Sequence, residues 1–137
     1  MALALTLTLA MQQRLGSAHT PLLIGLYFCG GLIGWFLALP VARFLALGAP
    51  VPSRLAASLL LLTLASVSAA AILFALQYRI FYAQWHQPFG TIIWVFQFVF
   101  TSASAVYQFA VLGFRLLMPF GFLVLLGASM VLSRLIR

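Results

Sequence analysis

Four long stretches without a charged residue dominate the chain: residues 15–42, 55–78, 80–114 and 116–133, with arginine on either side of each. Within them apolar residues continue without the polar face of a surface helix or a sustained strand-like alternation, the pattern of helices surrounded by lipid. A helix needs about 20 apolar residues to cross a hydrocarbon core of roughly 30 Å. The four stretches therefore predict spans at about 21–42, 53–76, 89–112 and 117–135. Pro21, Pro52, Pro88 and Pro119 precede or open these spans, where the missing proline N–H would have had no intrahelical partner. Thr20 and Ser53 are N-cap candidates. Gly48, Pro50 and Pro52 make the first connector, residues 43–53, a tight hairpin loop. The third connector, residues 113–118, is shorter still, which predicts antiparallel packing of the last two helices.

Residues 1–11 (MALALTLTLAM) alternate leucine with small or polar residues, and at a membrane surface they read as a short interfacial helix. A signal peptide would carry its charge before the apolar run, whereas Arg14 follows it, so the segment is expected to be retained. The whole chain, residues 1–137, thus reads as one integral membrane domain. Its expected fold is an all-α membrane protein: an antiparallel four-transmembrane-helix bundle with a short interfacial N-terminal segment.

Composition explains why lipid has to be the solvent. The chain is 66% hydrophobic and 5% charged, whereas a soluble domain has about a quarter of its residues charged. Its net charge of +7 comes from arginines alone, without a lysine, aspartate or glutamate. These arginines stand singly between apolar stretches and form no basic run, which argues against nucleic-acid binding. Arg43, Arg54, Arg79, Arg115 and Arg134 border the spans, where a guanidinium can reach a phosphate headgroup or a carboxylate of a neighbouring subunit. Membrane lipid, anionic lipid in particular, is therefore an expected partner, and bound phospholipid is expected. Four spans place Arg14, Arg79, Arg134 and Arg137 on one side against Arg43, Arg54 and Arg115 on the other. The positive-inside rule then puts both termini in the cytoplasm. Arginine-only basic usage fits a GC-rich bacterial genome, so the expected location is the bacterial inner membrane. Cys29, the single cysteine, rules out an intrachain disulfide.

The residues that usually carry chemistry are nearly absent. Catalytic acids and bases, nucleophiles and hard-cation ligands come mainly from carboxylates, His, Lys and Cys, and of these only His19, His86 and Cys29 remain. No catalytic residue, metal site or cofactor is expected, and the chain is not expected to be an enzyme. The absence of an intramembrane carboxylate also argues against self-sufficient proton coupling.

Three features qualify as candidate sites. In the third span Gln97, Thr101, Ser104 and Gln108 recur at i, i+4, i+7 and i+11 and share one helix face, with Arg115 further along the same line. Two glutamines in hydrocarbon need amide partners, so the stripe should face protein or water. Its expected neighbours are Thr63, Ser66 and Ala70 of the second span, with Gln77 at that span's end, or another subunit. In the first span Gly30 and Gly34 form a GxxxG pair suited to close helix contact. Between spans two and three, Tyr78, Tyr82, Trp85 and Phe89 surround His86 in a connector that reads as an interfacial helix or an extension of span two, and the functional reading of His86 is a ligand to haem or a pigment, or part of a quinone pocket. The first functional expectation is a small non-catalytic subunit, structural or accessory, of a larger membrane complex. The alternatives are a homo-oligomeric small-anion channel or permease using the stripe and Arg115, and a cofactor- or pigment-associated subunit using His86 or His19.

Overall fold

The computed structural model describes residues 1–12, 19–118 and 120–136. Arg14, Pro119 and Arg137 therefore lie outside the described residues. Among those described, every regular element is helical: α1 (Ala2–Met11), α2 (Thr20–Ala46), α3 (Val51–Ala83), α4 (Ile92–Leu117) and α5 (Phe120–Leu135). Three of them, α2, α3 and α4, are long and apolar enough to cross a membrane. At 1.5 Å per residue they measure about 40, 50 and 39 Å.

Proline sets the start of two helices as expected, with Pro21 and Pro52 in the first turns of α2 and α3. Pro50 caps α3, so Ser53 lies inside its first turn instead of capping it. The loop between α2 and α3 is tight, and Gly48 takes a positive φ of 77° there, a conformation suited to a residue without Cβ. At the start of α4 the Thr91 hydroxyl accepts the Trp94 N–H at 3.1 Å, satisfying one of the first-turn donors.

α3 is the centre of the molecule, with α2, α4 and α5 all packed on it. The α2–α3 contact is the closest. A Cβ on Gly30 would lie 2.9 Å from Ala70 Cβ, and one on Gly34 would run into the Ser66 backbone. Gly30, Gly34, Ala38, Ala42 and Ala46 recur every four residues and are all buried. Facing them, Ser58, Leu62, Ser66 and Ala70 recur every four residues on α3 and are buried too. Two backbones meet along this seam with small side chains between them, which gains dispersion and Cα–H contacts that lipid cannot supply.

The N-terminal segment forms the expected short helix and buries one face against the rest of the fold. Ala4, Leu5, Thr8 and Leu9 are buried, with Leu5 in one cluster with Leu26, Tyr27, Ala70, Phe109 and Leu117. α1 packs on α2, on α5 and on the last turn of α4, and Met1 lies against the position a Gly31 Cβ would take. Burial is possible because the threonine hydroxyls bond within the helix: Thr8 Oγ1 donates to the Ala4 carbonyl at 2.9 Å.

The last part of the chain departs from the expected hairpin. α4 does not turn near Gly113 but passes through a π-helical turn, Phe109–Gly113, and ends at Leu117. Met118 is extended (ψ 142°), and α5 then begins. Along α2 the order is monotonic: Gly113 bonds Tyr27, Val124 and Ala128 flank the same cavity as Gly31 and Trp35, and Arg43 bonds the Leu135 carbonyl. The end of α4 and α5 therefore run in the same direction as α2, both opposed to α3. α5, at about 24 Å, is shorter than a hydrocarbon core, and its C-terminal end lies beside that of α2. Among the described residues three helices are long and apolar enough to cross a membrane, where four spans were expected.

Candidate functional site

Each half of the bundle holds part of the polar inventory. On α4, Gln97, Thr101, Ser104 and Gln108 are all half-buried, so the stripe faces protein as its spacing required. Its neighbours differ from those expected. Ser66 and Ala70 of α3 are taken up by the glycines of α2, while the stripe meets the C-terminal part of α3 and the following loop. Gln108 Nε2 donates to the Tyr78 hydroxyl at 3.4 Å, and the Gln87 backbone N–H donates to Gln97 Oε1 at 2.9 Å. Thr101 donates to the carbonyls of Gln97 and Phe98. Three of the four stripe residues thus bond inside the fold, as costly polar groups in a low-dielectric setting must. Arg115 is exposed near the end of α4.

The connector after α3 is an aromatic bank. α3 continues through Arg79 to Ala83, and Tyr78, Phe81, Tyr82 and Trp85 stack along its last turns at 4.5–5.9 Å between centroids. Across from them Phe89, Trp94 and Phe98 form a second run, and the Arg79 guanidinium lies 4.0 Å from the Phe98 ring centroid. That cation–π contact joins α3 to α4 within a cluster rich in tyrosine and tryptophan, residue types enriched at membrane interfaces. His86 is half-buried in the turn after α3. Among the described residues no group of three His, Cys, Asp or Glu is placed to hold a metal.

A link that the sequence reading missed lies at the middle of the bundle. The Tyr27 hydroxyl, fully buried, donates to the Gly113 carbonyl at 2.6 Å. A π turn shifts the hydrogen-bond ladder by one residue and leaves its carbonyls open to other donors. Tyr27 supplies such a donor from α2 and ties α4 to that helix. Tyr27→Phe should cost about 1 kcal/mol, the size typical of one interhelical bond in a membrane. Thermal unfolding of the purified variant in detergent checks this, and an unchanged midpoint would show the bond to be dispensable.

The opposite end collects arginines. Arg43 at the end of α2 donates from Nη2 to the Leu135 carbonyl at 3.3 Å, beside the exposed Arg134. Arg54, on the first turn of α3, has a buried Nε with no hydrogen-bond partner, and so does the Ser58 hydroxyl one turn on. Between this end and α1 lies a cavity of about 240 Å³, walled by α2, α3, α5 and Met1. Its lining is mostly apolar.

The arrangement offers cationic ends, an apolar cavity and internally satisfied amides, and no pairing of an acid with a base or a nucleophile with its activator among the described residues. Comparison with family models, curated proteins and solved structures gives no match, so the residues above are the basis for any functional reading.

Proposed function

We propose that this chain is a non-catalytic integral membrane subunit that works as part of a larger membrane complex. The observation that carries this is the poor packing of α4. Only 11% of its most apolar window is buried, against 28% for α2 and 22% for α3, although α4 holds two glutamines that need a fixed setting. Its outward face presents Phe96, Phe100 and Tyr107, each at least 60% exposed. A tyrosine hydroxyl on an outward, lipid-level face is better placed against a polar group of another helix than against acyl chains. Alternative roles fare less well. An anion path along the stripe would need free donors, whereas Gln108 and Thr101 donate inside the fold.

Gentle solubilisation from native membranes followed by mass spectrometry should recover stoichiometric foreign subunits. A photo-crosslinker at position 107 should capture one of them, whereas a crosslinker at Leu64, exposed on α3, should not. A native preparation containing this chain alone would overturn the reading.

A further inference from the structure

The cavity and the arginine end lie on one path. α2 and α5 are close at their C-terminal ends, where Ala42, Ala46, Leu132 and Ile136 belong to one buried cluster and Arg43 bonds Leu135. Toward the middle of the bundle the space between them widens into the 240 Å³ cavity, with α3 as its floor. Gly31, Leu32 and Trp35 form the α2 wall, Leu62 and Ser66 the floor and Ala128 part of the α5 wall. Leu32 is 45% exposed and so sits on a rim open to the surroundings of the bundle.

We propose that this cleft binds one acyl chain of an anionic phospholipid whose headgroup rests on Arg43, Arg54 and Arg134. Depth agrees with this occupant. Trp35 is eight residues from Arg43, about 12 Å along the helix, and half a hydrocarbon core is about 15 Å. A headgroup at the arginines therefore places its chain at the level of the cavity. The chemistry of the wall agrees as well. Atoms lining an unfilled apolar space lose dispersion contacts, and at this depth the surrounding solvent is hydrocarbon. Charge selects the headgroup. The chain has no acidic side chain to neutralise this end, where Arg43 and Arg134 are exposed and Arg54 is half-buried. Anionic lipid is favoured over zwitterionic lipid at such a site by about 1 kcal/mol per arginine, roughly fivefold for each contact.

Trp35 is a built-in reporter because it lines the cavity. In a Trp85→Phe/Trp94→Phe variant it is the only tryptophan, and its fluorescence is read in phosphatidylcholine vesicles with increasing amounts of dibrominated phosphatidylglycerol or dibrominated phosphatidylcholine. The phosphatidylglycerol probe should quench at a mole fraction at least fivefold lower, rising to about a hundredfold with all three arginines in contact. Arg43→Gln/Arg54→Gln/Arg134→Gln should bring the two probes together, and Ala128→Leu, which fills the cleft, should weaken quenching by both. Circular dichroism verifies that each variant remains helical. The reference is a tryptophan at position 36, whose native Phe36 is 70% exposed, in a chain with the other three tryptophans changed to phenylalanine. Equal preference at positions 35 and 36, or a preference at 35 that survives loss of all three arginines, would overturn the proposal. Either result leaves the subunit reading untouched, because that rests on co-purified chains.

Discussion

Gly34→Leu should abolish the folded bundle. A Cβ at this position runs into the Ser66 Cα and N, which belong to the backbone of the central helix and cannot swing aside as a side chain would. Overpacking of a core usually costs about 1–3 kcal/mol. Here the entire α2–α3 seam would have to part, so the cost should reach or pass the upper end of that range. Separation would also remove the contacts of Gly30 with Ala70 one turn away. Fluorescence-detected size exclusion after solubilisation should show loss of the native peak. Gly25→Leu is the matched control, since nothing lies within 4 Å of a Cβ there. Equal behaviour of the two variants would mean that the seam does not hold the helices together.

The second large effect is expected from Leu5→Ala. Leu5 is 0% exposed and lies in one cluster with Tyr27, Ala70 and Phe109. Leucine truncations in soluble cores cost about 2–5 kcal/mol, through lost transfer energy and through the cavity left behind. In a bilayer the displaced methyl groups leave for lipid and not for water, so mainly the cavity part remains, and about 2 kcal/mol is expected. Leu7→Ala, at a position 47% exposed, should change stability by less than about 0.5 kcal/mol. The comparison is read from thermal midpoints in the same detergent. Equal midpoints would return α1 to the membrane surface and remove its role in the core.

The helices that cross on length alone were legible because lipid-facing sequence is written in bulk hydropathy. The turn at Gly48 and the prolines at the starts of α2 and α3 followed from local backbone chemistry. The α2–α3 seam was half legible: the Gly30–Gly34 pair stood out, but its continuation through Ala38, Ala42 and Ala46 carries the same four-residue period and was passed over because alanine is common in any apolar helix. In α1 the two-residue alternation concealed a helical stripe, Ala4, Leu5, Thr8 and Leu9, whose burial depends on threonines bonding their own backbone. The reading of residues 113–118 as a hairpin failed for a different reason. Glycine and arginine there resemble a border, yet the helix continues to Leu117, with the Gly113 carbonyl bonded by the Tyr27 hydroxyl from 86 residues away. No local pattern announces such a bond. The α4 stripe was read as facing protein or water, and its glutamines bond Tyr78 and Gln87 and not Ser66 or Ala70, since both α2 and α4 compete for α3 and only close packing decides which receives the small residues.

The seam between α2 and α3 also bears on how the chain enters a bilayer. Its two helices are joined by a tight loop, residues 47–50, and most of their mutual contact is complete once residue 83 has been synthesised. A helical hairpin of this kind is expected to leave the insertion machinery as a preformed pair. The glutamine-bearing α4 would then meet an assembled surface carrying Tyr27 and Tyr78, ready to accept its polar groups before they face lipid alone.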